Sequence, residues 1–242
     1  MCTCRPLAAL AALAATALLV FAGDARASLE PDTGLSHAAL YGATAIFRRD
    51  LATFPQWQDA MARAKAERSD DRICTSAHER GCVPREWHDL IATIKGQPLM
   101  TELATVNAAI NRHPYVPTWQ NWHRPMYWET PFEFLERGGQ CQDYAIAKYL
   151  ALHEAGLGDD AIRMLVVRDT ALGVDHAVLV AYVDGTPYLL DNLHAAIRPA
   201  SRAPEYRPYY AISLSGYWMY FGGHSMVAQA NPYRWRGGVD RW

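Results

Sequence analysis

The sequence has no surplus of either charge, no internal repeat and no long apolar run beyond its N-terminus. Its 23 Lys and Arg residues against 25 Asp and Glu residues give a formal net charge of −2. That balance leaves no broad basic surface, so it argues against a nucleic acid partner. After the first 27 residues no stretch approaches the roughly 18 apolar residues of a membrane span. With 242 residues, half of them hydrophobic, the chain is suited to one sizeable globular domain.

The first 27 residues have the pattern of a secretory signal peptide. Arg5 supplies a positive charge, an unbroken apolar run of 15 residues extends from Leu7 to Phe21, and Ala25-Arg26-Ala27 provides a small-residue cleavage site. A membrane anchor is the competing interpretation, but the run is shorter than a span requires. The pattern therefore predicts a single mature domain over residues 28–242 that is periplasmic or secreted.

Cysteine is scarce, and removal of residues 1–27 would reduce the count from five to three. An odd number in an oxidising compartment predicts one pair and one unpaired thiol. Cys74 and Cys82 flank a short polar stretch and are the predicted disulfide, with a metal site of Cys74, His78 and Cys82 as the alternative. Eight helical residues rise about 12 Å, and bridged Cα atoms lie within about 7 Å, so a paired segment 74–82 cannot be one helix. Cys141 is left over.

The spacing of apolar residues changes along the chain from a helical period to a strand period. Helices are predicted over Pro55–Arg68, Pro84–Lys95, Pro98–Asn111, 131–137 and from Cys141 to just before Gly156. Strands are predicted over Ile162–Arg168, His176–Val183, Thr186–Asp191, Tyr209–Leu214 and Tyr217–Phe221. Segments 113–130 and 198–208 are predicted loops, and segment 38–49 fits either element type. Helices followed by an antiparallel sheet predict an α+β domain, with a helical N-terminal half packed on the sheet.

Cys141 lies at the predicted start of a helix, directly after Gly138-Gly139-Gln140. The unpaired N–H groups and the dipole of a helix N-terminus favour negative charge, so they stabilise a thiolate. An N–H group at the same place can also stabilise the oxyanion of an acyl-transfer reaction. A buried inert cysteine is the alternative. One unpaired cysteine after a glycine loop in an exported protein favours a nucleophile.

Asp184-Gly185 predicts a two-residue hairpin turn that sets the register of its two strands. In that register Asp191 is a diagonal cross-strand neighbour of His176 on the same face of the sheet. A carboxylate beside an imidazole is the orienter and base that a thiol nucleophile requires. A register slip of one residue would separate the pair. A hydrogen-bonded core histidine and a turn-capping aspartate are the structural alternatives, and His194 is the best competing base.

Four segments around these residues resemble the bacterial transglutaminase-like cysteine proteinase family, whose core is papain-like. The segments are Trp128-Glu129-Thr130-Pro131-Phe132-Glu133-Phe134-Leu135, Gly138 to Lys148, Asp175-His176-Ala177-Val178-Leu179 and Leu189-Leu190-Asp191-Asn192. The resemblance spans roughly residues 85–215. It implies a peptidase in which Cys141 is the nucleophile, His176 the base and Asp191 its orienter.

The same resemblance implies partners. The family includes LapG-type periplasmic proteases that release a surface adhesin, which implies a protein or peptide substrate in the cell envelope and makes an inner-membrane receptor a candidate partner. Two alternatives stay open. One is a transglutaminase-like acyl transferase, because the same thioester can pass its acyl group to an amine. The other is a catalytically silent binding module of the same fold.

One departure from the family pattern concerns calcium. LapG-type members carry acidic residues on both sides of the cysteine and bind calcium there, whereas this chain has Gln140 and Gln142 and keeps only Asp143. Calcium prefers carboxylate oxygens, so the sequence predicts no calcium requirement and no other cofactor. Gln140 becomes a candidate oxyanion donor, and Trp128 a candidate wall of the substrate cleft.

Overall fold

The computed structural model describes residues 39–68 and 83–223. The predicted signal peptide and the Cys74–Cys82 segment lie outside the described residues, so both stay predictions. None of the helices formed within these two ranges has the length and hydropathy of a membrane span.

Helices occupy most of the described chain before residue 156. They are α1 (Pro55–Arg68), α2 (Val83–Ile94), α3 (Leu99–Ile110), α4 (Thr118–Trp122), α5 (Pro131–Arg137) and α6 (Cys141–Ala155). The predicted boundaries of α1, α5 and α6 are confirmed. At α5 the reason is local, because Thr130 Oγ1 accepts the Glu133 N–H at 3.2 Å and Glu133 Oε2 accepts the Thr130 N–H at 2.8 Å. This reciprocal pair is a capping box, with Pro131 in the first turn.

The prediction that segment 113–130 is a loop throughout is wrong, because α4 lies inside it. Pro117 precedes the helix, and His123 ends it in the left-handed conformation with φ of 52°. A five-residue helix is less than two turns long, so it has no apolar periodicity that a sequence pattern could reveal.

Within the described ranges, one antiparallel sheet contains two strands that precede the helices in the chain and six that follow them. Its strands are β1 (Ala39–Leu40), β2 (Ala43–Arg48), β3 (Ile162–Asp169), β4 (Val174–Val183), β5 (Thr186–Leu190), β6 (Arg198–Pro199), β7 (Tyr206–Ile212) and β8 (Tyr217–Phe221). In space the order is β1-β2-β8-β7-β3-β4-β5-β6. The predicted register of the β4–β5 hairpin is confirmed, since Val183 pairs with Thr186 and Leu179 with Leu190.

The sheet is wider than the sequence predicts, because strands form in two segments that it left unassigned or predicted as loop. Segment 38–49 contributes β1 and β2, and β2 pairs with β8. Segment 198–208 is not a loop throughout, because it contains β6, a short 3₁₀ helix at Ala200–Arg202 and the start of β7. The start of β7 was not predicted because it contains Pro208, and proline has no N–H group to donate to a neighbouring strand. It is tolerated here because β7 shifts register against β3 between Val166 and Val167.

The helix α6 is the centre of the domain. It packs against β3 and β4 and also against α2, α3 and α5, and nearly all of its residues are buried. Most of these buried residues are apolar, and their burial on all sides of α6 requires neighbours around the whole helix. β4 is likewise mostly buried on both faces, and α6 packs against it. The predicted α+β class is confirmed, and the core is built around the helix that begins at Cys141.

Candidate active site

Two glycines allow the chain to enter α6 at Cys141. Gly138 has φ of +72°, and a Cβ there would lie 2.2 Å from the Pro114 carbonyl oxygen. A Cβ on Gly139 would lie 2.7 Å from Asp143 Oδ2. Only glycine satisfies the positive φ and close approach at the first position, and the second has no space for a side chain. The Gly-Gly pair therefore holds Cys141 at the first residue of the helix.

The segment Pro114–Val116 fixes this loop from outside. The Val116 N–H donates to the Gly139 carbonyl at 3.0 Å, and the Gly139 N–H donates to the Pro114 carbonyl at 3.3 Å. The Tyr144 hydroxyl donates to the carbonyl of His113, the residue directly before this segment. The backbone before the cysteine is therefore anchored by hydrogen bonds, and Cys141 is only 3% exposed.

The structure brings His176 and Asp191 together, as the hairpin register predicts. His176 Nε2 lies 2.9 Å from Asp191 Oδ1, and Cys141 lies close enough to the imidazole to raise the pKa of His176. Both side chains are buried. A thiol, an imidazole and a carboxylate are thus connected in that order, which is the arrangement required for nucleophilic catalysis with a general base.

Asp191 is held by donors from several directions, one of which the sequence did not reveal. The Tyr206 hydroxyl donates to Asp191 Oδ2 at 2.6 Å, and the Leu193 N–H donates to Oδ1 at 2.9 Å. The Asn111 side-chain amide donates to the Asp191 backbone carbonyl at 2.8 Å. Tyr206 was missed because it lies in the segment predicted as a loop. Its contacts orient the carboxylate toward His176.

The competing base, His194, is less well placed. Its Nε2 atom lies 3.9 Å from Asp191 Oδ2, outside hydrogen-bond distance, and its side chain is 42% exposed. His176 has a short contact to Asp191, and Cys141 lies close enough to raise its pKa. The geometry therefore favours His176 as the base.

The protonation states of His176 and Asp191 depend on each other and on Cys141. Burial by itself lowers the pKa of His176, but hydrogen bonds and charges from Asp191 and Cys141 raise it to about 10. Burial raises the pKa of Asp191, but His176 and the donors Tyr206 and Leu193 hold it well below its ordinary value. The imidazole is therefore protonated at neutral pH, and an imidazolium in this position stabilises negative charge on the sulfur.

Lys148 lies on α6 seven residues after Cys141 and is completely buried. Its Nζ atom has no hydrogen-bond partner among the described residues. Burial lowers the pKa of Lys148 to about 7, with the Asp191 charge opposing that change. Above pH 7 the amine is mostly uncharged, so the positive charge next to Asp191 is supplied by His176, with Arg198 Nη2 3.9 Å from Oδ2.

The two other candidates from the sequence occupy different environments. Gln140 immediately precedes α6, and its Oε1 atom accepts the Thr118 hydroxyl at 2.7 Å. Trp128 is 5% exposed and packs in the core cluster that contains α6. The structure therefore does not place Trp128 on an open cleft wall. Trp119 on α4 is in contrast strongly exposed, at 56%.

Two further carboxylates, Glu129 and Asp143, lie buried beside the glycine loop that precedes α6. Asp143 accepts the backbone N–H groups of Glu129 and Gln140 at 2.9 and 2.8 Å, and the Gln142 amide at 3.0 Å. Burial and then the charge of Glu129 raise the pKa of Asp143 well above its ordinary value. Glu129 Oε1 accepts from Asn121 and Trp122, while its Oε2 has no hydrogen-bond partner among the described residues.

These residues do not fit a calcium site. Both Asp143 oxygens already accept N–H groups, Oδ1 from Glu129 and Oδ2 from Gln140 and the Gln142 amide. Gln140 Oε1 is engaged by Thr118. In the part of the chain that the structure describes, no group of three or more His, Cys, Asp or Glu side chains could hold a metal ion. Calcium needs six to eight oxygen ligands, so this set lacks the required donors.

We expect Glu129→Gln to stabilise the protein above neutral pH. Burial raises the pKa of Glu129 from 4.5 to about 7, against hydrogen bonds from Trp122 and Asn121 that lower it. Between pH 4.5 and about 7 the folded state therefore keeps a proton on Glu129 that the unfolded state has lost. The free energy of unfolding falls as pH rises through that window. The gain in free energy of unfolding at pH 8 is on the order of 1–3 kcal/mol, measured by urea denaturation.

The same gain should vanish below about pH 4.5, where Glu129 is protonated in both states. Glu136→Gln on α5 is the matched control, because Glu136 is 63% exposed and should leave stability unchanged at both pH values. Equal unfolding midpoints for wild type and Glu129→Gln at pH 8 would contradict the account.

Comparison with solved structures identifies a relative of similar fold. Legionella pneumophila LapG in a calcium-bound structure has 27% sequence identity and a TM-score of 0.52, covering 67% of this chain and 86% of that chain. LapG in an EGTA-treated structure has 26% identity and a TM-score of 0.53, covering 68% and 86%. A comparison with curated protein sequences gives no match.

The family described as bacterial transglutaminase-like cysteine proteinase matches residues 71–222, which include all three residues of the thiol, imidazole and carboxylate set. That match covers more than half of the chain. The chain therefore belongs to the bacterial transglutaminase-like cysteine proteinases and is a cysteine peptidase.

Proposed function

We propose that this chain is a periplasmic or secreted peptidase that cleaves a protein of the cell envelope through an acyl-enzyme on Cys141. In this proposal His176 is the acid and base, and Asp191 orients its imidazole. The observation that supports it best is the 2.9 Å contact between His176 and Asp191, with the buried Cys141 close enough to raise the pKa of His176. The signal-peptide pattern of residues 1–27 supports export, and a membrane receptor stays a prediction from the resemblance alone.

The reaction takes two stages. The Cys141 sulfur attacks the scissile carbonyl carbon, and a carbon–sulfur bond forms as the carbonyl oxygen becomes an oxyanion. When that intermediate collapses, the carbon–nitrogen bond breaks, and the His176 imidazolium gives its proton to the leaving amine. Neutral His176 then takes a proton from water, whose oxygen attacks the thioester. The carboxylic acid product leaves, and the thiolate–imidazolium pair is restored.

The start of α6 is suited to the oxyanion. The backbone N–H of Cys141, at the first position of a helix, has no intrahelical acceptor. Thr118 holds the Gln140 side chain through its Oε1 atom, which leaves the Nε2 hydrogens for a ligand. We therefore assign the Cys141 N–H and the Gln140 amide as oxyanion donors. Because these donors lie next to the sulfur, one short segment supplies both the nucleophile and the groups that stabilise the oxyanion.

The proposal is tested with cell-envelope extract. We would incubate the extract with the mature chain or with Cys141→Ala and label newly formed N-termini. New N-termini that appear only with the native chain support a peptidase. Incorporation of a fluorescent amine without new N-termini would instead indicate acyl transfer. Identical products from both proteins would show that Cys141 carries no activity.

We expect activity to be independent of calcium. LapG is known in a calcium-bound structure, but here Asp143 accepts three N–H groups. Adding EGTA to the extract assay should change the cleavage rate by less than about twofold, because no bound cation is lost. The double variant Gln140→Asp with Gln142→Glu is the comparison, since it adds two carboxylates and should respond to EGTA. A large loss of native activity in EGTA, reversed by added calcium, would contradict this prediction.

A further inference from the structure

Large apolar side chains are exposed around the candidate active site. Trp119 is 56% exposed, Leu193 42% and Tyr115 38%. Among the residues that the structure describes, Trp119 is the most exposed large hydrophobic side chain. An aromatic side chain left in water forgoes the free energy that its burial would provide, and grouped exposed apolar side chains mark binding surfaces. We call Tyr115, Trp119 and Leu193 the apolar rim.

Each member of the rim is linked to a segment that carries a reacting residue. Tyr115 forms a parallel bridge with Gly139, two residues before Cys141. Trp119 follows Thr118, whose hydroxyl donates to Gln140 Oε1 at 2.7 Å. On the other segment, the Leu193 N–H donates to Asp191 Oδ1 at 2.9 Å. The rim is therefore attached to the loop and the strand end that position Cys141 and Asp191.

The reacting residues themselves offer a substrate very little surface. Cys141 is 3% exposed, His176 4% and Asp191 0%. A polypeptide that delivers its carbonyl to this sulfur must obtain its binding area from the neighbouring side chains. The rim residues are apolar and lie on the segments that position the nucleophile and Asp191, so their complement on the substrate is an apolar side chain close to the scissile bond.

We propose that the apolar rim is the specificity subsite of this peptidase, and that it binds an apolar side chain of the substrate polypeptide within a few residues of the cleaved bond. The inference rests on the proposed peptidase function and adds the chemical class of the substrate. Trp119 provides most of the contact, because a buried aromatic anchor dominates such sites. Tyr115 and Leu193 border it.

The expected effect of Trp119→Ala is a fall in kcat/KM of about 10-fold, carried mainly by a higher KM. Trp119→Phe should keep most of the activity, since it keeps an aromatic ring. Phe221→Ala is the matched control, because Phe221 is 42% exposed on β8 and β8 lies four places from β5 in the sheet. It removes a comparable exposed aromatic ring away from the reacting residues and should leave kcat/KM unchanged.

The experiment uses the full mature chain with cell-envelope extract as substrate. Newly formed N-termini are identified by mass spectrometry, which reads the residues on both sides of each cleaved bond. Alkylation of Cys141 by iodoacetamide is measured in parallel for every variant. Iodoacetamide has no side chain for the rim to bind, so its rate reports the nucleophile and the fold alone.

The proposal predicts an apolar residue within about three positions of the cleaved bonds, slower cleavage by Trp119→Ala, and unchanged iodoacetamide rates. Cleavage by Trp119→Ala at the wild-type rate, or cleavage sites without apolar neighbours, would overturn the rim proposal. The peptidase assignment would still stand, provided that Cys141→Ala is inactive. If the wild-type chain produces no Cys141-dependent N-termini, the peptidase assignment fails, and the rim proposal fails with it.

Discussion

Replacing Asp191 by asparagine is expected to lower kcat/KM by about 10³–10⁴-fold. The carboxylate lies 2.9 Å from His176 Nε2 and accepts from Tyr206 and Leu193. An amide in its place removes the charge that stabilises the imidazolium and can present an N–H group to the ring, which favours the wrong tautomer. The loss should appear mainly in kcat, because Asp191 is buried and does not meet the substrate.

The pH profile separates this electrostatic role from a structural one. The pKa of His176 is raised to about 10 in the native site, so the imidazolium survives to that pH and activity should fall above it. Asparagine at position 191 removes both the charge and the carboxylate hydrogen bond, so the alkaline limb should move to lower pH. Asp175→Asn on β4 is the control, since that carboxylate pairs with Arg168 and Tyr209. An unmoved alkaline limb in Asp191→Asn would contradict the assigned role.

Replacing Cys141 by serine is expected to lower kcat/KM by about 10⁴–10⁶-fold. The hydroxyl is similar in size to the thiol but is hardly ionised at neutral pH, so the imidazolium has no anion to stabilise. The fold should survive, because the substitution keeps a small side chain at the first turn of α6. Enzyme kinetics and the unfolding midpoint together check this prediction.

Peptide mapping after iodoacetamide treatment provides the control for Cys141→Ser. Modification at position 141 should be rapid in the wild type, whereas Cys74 and Cys82, if paired as predicted, should stay unmodified. Full activity in Cys141→Ser would show that another group attacks the substrate.

The sequence predicts the central site because its geometry is local. A two-residue turn at Asp184-Gly185 determines the register of β4 and β5, and that register brings Asp191 to His176. The capping box of α5 and the glycine loop before α6 are likewise encoded within a few residues. Each of these features follows from short-range rules of turn and helix chemistry.

Features that depend on long-range packing were not predictable in this way. Tyr206 donates to Asp191 from the first residue of β7. The sequence does not predict this strand start, because Pro208 and a register shift against β3 follow it within a few residues. Glu129 and Asp143 approach each other only because the loop folds back on α6. Two tryptophans of one aromatic segment also have opposite environments, since Trp128 is buried and Trp119 exposed. Composition alone does not distinguish them.

The most direct test of the proposed mechanism is detection of the covalent intermediate. The mature chain is mixed with cell-envelope extract, and the reaction is quenched in acid during turnover. The protein is then digested, and its peptides are analysed by mass spectrometry. The mechanism predicts an acyl group attached as a thioester to Cys141, absent from Cys141→Ala and accumulated in no other peptide. Continued turnover with no adduct on Cys141, or equal turnover by Cys141→Ala, would contradict it.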